Sequence, residues 1–250
     1  MTRLLPLLFT LAFAPVLCAP IIIQSPAAGG CCTSPPTVRG IGNVAGGTSA
    51  VSPGLPTGTA VGDLLVMFIE TANEAITVSG FTEAPSSPQG TGTGGGAAAT
   101  RMTIFYRIAT GTDPTTTSDS GQHQIARIIG ITTGTFNAST PFDANAGTTQ
   151  AATASVSIPG ATTTVDNTLV IAVTSGALPD SNGVNRFASW VNTSLSSIVE
   201  QIDQSRTSGN GGALGVITGT MDTSGTYNST TSTATVSTER GVISLAVTPI

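Results

Sequence analysis

The chain carries one set of short apolar runs twice, in the same order, and no other feature restricts its fold as much. The first set is Gly62-Asp63-Leu64-Leu65-Val66-Met67-Phe68-Ile69, then Met102-Thr103-Ile104-Phe105-Tyr106-Arg107-Ile108, then Ile125-Ala126-Arg127-Ile128-Ile129-Gly130-Ile131. The second is Asp166-Asn167-Thr168-Leu169-Val170-Ile171-Ala172-Val173, then Ala213-Leu214-Gly215-Val216-Ile217-Thr218-Gly219-Thr220, then Val242-Ile243-Ser244-Leu245-Ala246-Val247. Asp63 and Asp166, Gly111 and Gly219, and Ile129 and Ile243 mark matching places. A duplicated set of short strands is expected to fold as a β-sandwich of two similar halves.

Periodicity within the runs supports strands. Leu169, Ile171 and Val173 share one parity, as do Ile243, Leu245 and Val247, and each trio lines one face of an extended chain. Met102, Ile104, Tyr106 and Ile108 form another such face. Leu64 to Ile69 is apolar throughout, which suits a central strand covered on both sides. Turn signals such as Ser52-Pro53-Gly54, Gly111-Thr112-Asp113-Pro114 and Pro159-Gly160 separate the runs. Residues 89–100 read as a glycine-rich surface loop, and residues 195–202 stay open between a short helix and a strand. The expected fold class is all-β: a two-sheet sandwich or jelly-roll of eight to ten strands over residues 37–250. Its half-repeats fall at about 37–150 and 151–250, after an extended apolar, proline-rich N-terminal arm at 1–36.

Composition narrows the chemistry. The 43 threonines fit pleated surfaces, where β-branching is favoured, and are expected to pave the solvent faces. Only 8% of residues are charged, so little discourages edge-to-edge pairing. A homo-oligomer is therefore expected, with a trimer as the specific guess. All eight basic residues are Arg, which excludes lysine Schiff bases, a P-loop lysine and lysine cross-links. A net charge of −5 with no basic stripe gives no footprint for nucleic acid, and none is expected as a partner.

The leader differs from the body. Cys18, Cys31 and Cys32 all lie in it, so no disulfide framework holds the body together. Bonded to each other, the adjacent Cys31 and Cys32 would form a strained bridge, and two neighbouring thiols alone are a poor metal site. Free thiols are the plainer reading and cross-chain pairing the alternative. Met1-Thr2-Arg3 before an apolar stretch resembles a secretory signal. Pro20 directly after Ala19 weakens a cleavage site there, and Pro6, Pro15 and Pro20 disfavour a membrane helix. The expectation is an arm that docks on a partner, with a cleaved signal as the alternative.

Candidates for catalysis are few. His123 is the one histidine, a Ser-His-Asp triad would have to use it, and no Gly-x-Ser-x-Gly elbow is present. It is expected to be an exposed or edge residue at a strand entrance. Glycoside hydrolysis needs two opposed carboxyl groups, and the acids are dispersed along the chain. Glu70 and Glu74 read as turn residues. Few aromatics, with Trp190, Tyr106 and Tyr227 the only Trp and Tyr, argue against a sugar-stacking cleft. Asp143-Ala144-Asn145-Ala146-Gly147 and Asp180-Ser181-Asn182-Gly183 space oxygens as calcium loops do but lack the closing Glu, so Asx-turns are favoured. Asp63 and Asp166 are expected to accept hydrogen bonds from turn amides. No catalytic, cofactor-binding or metal residue is assigned, no cofactor is expected, and the expected role is not enzymatic.

The string Pro56-Thr57-Gly58-Thr59-Ala60-Val61-Gly62-Asp63-Leu64-Leu65-Val66 is followed by Tyr106-Arg107-Ile108-Ala109-Thr110-Gly111-Thr112-Asp113-Pro114, Pro141-Phe142-Asp143 and Thr164-Val165-Asp166-Asn167-Thr168-Leu169-Val170. Together they resemble a loose group of β-sandwich proteins encoded among the structural genes of tailed bacteriophages, with related modules on bacterial surfaces. The likeness spans about residues 37–250 and rests on turn and strand motifs, so it carries over no catalytic residue. It implies a virion component, either a head decoration, a head fibre or an accessory tail protein, with the arm docked on capsid or tail proteins and the sandwich outward. The alternative is a secreted surface adhesin or glycan-binding module whose partner would be a host-surface glycan.

Overall fold

An uninterrupted apolar strand needs cover on both faces, and Leu64–Thr71 has it, since all eight of its residues are buried. The computed structural model describes residues 34–177 and 185–250. Residues 1–33 of the expected arm, with Cys18, Cys31 and Cys32, and the candidate loop at 180–183 lie outside the described residues.

The first sheet comprises β1 (Val38–Ile41), β2 (Ala45–Gly47), β3 (Leu64–Thr71), β4 (Thr82–Glu83), β5 (Gln89–Thr91), β6 (Thr100–Ile108) and β7 (Gln124–Ile131). Its order is β1-β7-β3-β6-β4, with β2 also on β7 and β5 also on β6. The second sheet comprises β8 (Phe142–Ile158), β10 (Thr168–Gly176), β11 (Phe187–Val191), β12 (Ser196–Arg206), β13 (Gly212–Met221) and β15 (Thr230–Val247). Its order is β11-β15-β10-β13-β12, with β8 also on β15. The short β9 (Thr162–Thr163) and β14 (Gly225–Thr226) pair with each other. The described residues are thus all-β, in two large antiparallel sheets with no helix.

Each sheet has the same connection pattern. A central strand, β3 or β10, is joined first by β6 or β13 on one side, and later by β7 or β15 on the other. Leu64 sits between Ile108 and Ile131, and Leu169 between Thr220 and Val247. The marker glycines do not correspond: Gly219 lies inside β13, whereas Gly111 turns the chain after β6 with φ +90°. Residue 150 falls inside β8, which pairs with β15 on both sides of that position.

Strand parity builds the core. Leu64, Val66 and Phe68 of β3 pack with Leu169, Ile171 and Val173 of β10 and with Ile243, Leu245 and Val247 of β15. Full burial of each such side chain contributes about 1.5–3 kcal/mol. Leu65, Met67 and Ile69 face the other way and are covered by Val51, Ile76 and Val78 from the connecting loops. On the far side of the second sheet, the distal halves of β8 and β15 fold back. Val156, Ile158 and Ala234, with Phe187 of β11, pack against Ala172, Ala213 and Ile217. The register shifts around Thr238 and Arg240 permit this bend.

Several local readings change. Residues 195–202 run into β12 as a strand, and the segment 89–100 begins in β5 and ends in β6. Asp143–Gly147 belongs to β8 rather than to an Asx-turn, because residues 144–147 pair in register with β15, and the Asp143 carboxylate takes the Thr164 amide instead. The threonines do more than pave the surface: Thr71, Thr100, Thr168 and Thr174 are fully buried.

Candidate functional site: a polar hub between the sheets

Glu70 shares the parity of Leu64, Val66 and Phe68, so its strand directs its carboxylate inward, and it has no exposed surface. A buried carboxylate must be hydrogen-bonded or neutralised. Here both sheets contribute. His123, just before β7, donates from Nε2 to both carboxylate oxygens, at 2.9 and 3.0 Å. Thr100, the first residue of β6, donates its hydroxyl to Oε1 at 2.9 Å. From the second sheet, Ser175 of β10 lies 2.9 Å from the Thr100 hydroxyl, and Gly241 of β15 donates its amide to Ser175 at 2.9 Å.

The chain of bonds branches at its two hydroxyls. Thr100 has a single hydroxyl proton with two acceptors in reach, Glu70 Oε1 and Ser175 Oγ, and Ser175 in turn reaches the Gly241 carbonyl at 3.3 Å. The resulting series runs from the Gly241 amide through Ser175 and Thr100 to Glu70, and crosses from one sheet to the other. Gly212 of β13 closes the site, because a Cβ there would overlap the Glu70 carboxylate.

The electrostatics follow from burial. Burial pushes the Glu70 carboxyl above its ordinary range, against the pull of His123 and the Thr100 hydroxyl. Burial alone would lower His123, but the Glu70 carboxylate, helped by Glu74, holds it above its ordinary value. The expectation of an exposed or edge histidine is therefore wrong, since His123 is only 1% exposed. It does stand at a strand entrance, but the loop before β13 closes over it, with Gly209 against its backbone. Gln124 donates to the Ser49 and Ser118 carbonyls at 2.7 and 3.1 Å, and Asn210 donates to the Gly95 carbonyl at 2.7 Å. The turn role for Glu70 is overturned as well, because the apolar strand carries it into the core. Glu74 does sit in the turn after β3, where its amide donates to Thr71 Oγ1.

The hydroxyls meet the carboxylate, not the imidazole. Ser120, the nearest hydroxyl in sequence to His123, bonds main-chain carbonyls of residues 122 and 123, and Nδ1 of His123 has no hydrogen-bond partner. A nucleophile–imidazole–carboxylate relay needs the opposite order. Among the described residues no three His, Cys, Asp or Glu side chains group as metal ligands.

The remaining acids are dispersed, with one near-meeting. Trp190 donates its indole N–H to Glu200 at 2.5 Å on the surface. Burial raises Glu200, the indole bond opposes this, and neighbouring Asp203 adds to the rise. Asp203 is already occupied by the amides of Arg186 and Phe187, at 2.9 and 3.1 Å, and fixes the start of β11. Asp63 and Asp166 both accept turn amides, yet differ. Asp63 is fully buried, takes the Ala60 and Thr133 amides, and pairs with Arg39, whose Nη2 lies 2.9 Å away. Asp166 takes the Ser224 amide at 2.6 Å in the open.

Glu70 could have been found in the sequence as the one acid at core parity in an apolar run. Nothing in the sequence joins it to Thr100, Ser175 or His123. Compared with family models, curated proteins and solved structures, the chain matches none.

Proposed function

We propose that this chain is a non-enzymatic structural protein of a tailed-phage virion, a head decoration, head fibre or accessory tail protein. Its N-terminal arm holds it to capsid or tail proteins, and the sandwich faces outward. One observation carries the non-enzymatic part: the converging set of Glu70, His123, Thr100 and Ser175 is sealed between the sheets, where it can tie them together but meet no substrate. The virion setting is supported by the resemblance of the strings around Asp63, Tyr106, Pro141 and Asp166, and by a threonine-rich surface with few charges. Assembly as a homo-oligomer belongs to this reading.

A secreted adhesin or glycan-binding module is the second reading, favoured by the surface pairing of Trp190 with Glu200 beside exposed Val191 and Val199. Gold-labelled antibody against the sandwich separates the two. Labelling of intact purified particles supports the virion role. Labelling confined to cell surfaces or culture supernatant overturns it.

A further inference from the structure

Two buried polar atoms at one end of the first sheet have no hydrogen-bond partner, His123 Nδ1 and Glu74 Oε2. A buried polar atom left unpaired is costly, so its surroundings call for an explanation. Both lie where the connections 72–81, 92–99, 109–123 and 207–211 gather. Glycines let these loops approach closely. A Cβ at Gly95 or Gly121 would stand 3.6 or 3.5 Å from Glu74 Oε1, and one at Gly209 would stand 3.0 Å from the His123 amide nitrogen. Gly95 donates its amide to the Ala72 carbonyl at 2.8 Å and accepts from Asn210 Nδ2 at 2.7 Å, which ties a loop of the first sheet to a loop of the second.

Two acids act on the imidazole. Glu70 accepts from Nε2, while Glu74 makes no bond to the ring and acts on it through space. Against burial, Glu70 and then Glu74 hold His123 above its ordinary value. The other charged groups of the elements packed here are engaged elsewhere. Asp119 accepts the Gly121 amide, and Glu239 accepts the Thr91 hydroxyl. The Arg206 stem packs over Gly46 of β2, and Arg101 has the opposite parity to Thr100 on β6. Ser175, Gly209, Asn210 and Gly212 bring no charge from the second sheet. The Glu70–His123 pair shares one proton, and its loss leaves two carboxylates about a neutral ring, which like charges disfavour.

We propose that this end of the fold is a proton-operated latch. The proton shared by Glu70 and His123 keeps loops 92–99 and 207–211 shut over the hub, and its loss at alkaline pH lets them part while the sheets stay packed. Glu74 sets the pH of opening. Local opening of this kind needs less free energy than unfolding of the core, because few apolar contacts are given up. The latch is independent of the virion reading.

The test follows the full chain and Glu74→Gln from pH 5 to pH 10 by two readings. His123 is the one histidine in the sequence, so NMR titration of its ring protons gives its midpoint without ambiguity. Hydrogen exchange read by mass spectrometry, corrected for the intrinsic rise of exchange with pH, gives protection peptide by peptide. In the wild type, protection of 92–99 and 207–211 is expected to be lost across the His123 midpoint, while β3 and β10 keep theirs. Glu74→Gln is expected to move the midpoint and the loop opening together to lower pH. A midpoint that Glu74→Gln leaves in place overturns the proposal. So do wild-type loops that stay protected throughout, or that lose protection only together with β3 and β10.

Discussion

Gly212 of β13 lies against Glu70 of β3 so closely that a Cβ at position 212 would overlap the carboxylate and come within 2.7 Å of His123 Nε2. The second sheet leaves a gap at its edge into which the ionisable pair of the first sheet fits. Gly212→Ala is expected to push the pair aside and to lower stability by about 1–3 kcal/mol, the usual cost of overpacking. Urea unfolding checks this, with the midpoint falling at an unchanged m-value.

The hub also sets a pH dependence. His123 is raised above its ordinary 6.5, so its contribution is complete below that value and is lost as pH rises through the folded one. Glu70 is raised above 4.5, which means the folded state holds its proton more tightly than the unfolded chain. That contribution also declines as pH rises, so the two signs agree. Melting temperature is expected to fall steadily from pH 5 to pH 9. In His123→Gln the slope should flatten. Asp63 titrates below this window and does not interfere.

Asp63 and Asp166 occupy corresponding positions before β3 and β10, but only Asp63 is buried. Burial raises the Asp63 carboxyl, while Arg39 and the Ala60 and Thr133 amides more than offset this and hold it below its ordinary 3.8. Its stabilisation is present above that value and is lost as pH falls through the folded one. Asp63→Asn is expected to cost about 1–3 kcal/mol at pH 7 and to remove part of the acid sensitivity. Asp166→Asn should leave the melting temperature where it was.

Arg240 sits at the bend of β15 with no exposed surface and no carboxylate partner among the described residues. It donates from Nη2 to the Thr153 and Val236 carbonyls, at 3.0 and 2.9 Å, and its guanidinium lies 5.6 Å from the centroid of the Phe187 ring. Burial lowers it to about 10. A depressed base penalises the folded state at every pH below that value. Arg240→Met keeps the volume and removes the charge, so thermal melting should show stability unchanged or raised by about 1–2 kcal/mol. Arg240→Ala leaves a cavity beside Phe187 and is expected to lower it.

Alternation and turn chemistry made the strands legible. Leu169-Val170-Ile171-Ala172-Val173 and Leu64 to Ile69 declare themselves as strands, and both are central in their sheets. What parity alone cannot convey is contact between sheets. Glu70 reveals its inward direction, but Thr100 and Ser175 are 75 residues apart and meet only through packing. The burial of His123 is not legible in the sequence, because it comes from the loop before β13, where Gly209 lies against His123 and Asn210 bonds the Gly95 carbonyl. The fold-back of β8 and β15 was equally hidden, since a strand and its bent continuation alternate in the same way.

Where the chain resides, and whether its leader is retained, separates a virion component from a secreted module. Intact-mass measurement of the protein recovered from its native particle or cell fraction tests both together. The expected result is a particle-associated chain whose mass includes residues 1–19. A secreted chain lacking those residues would contradict the virion role and identify the leader as a signal.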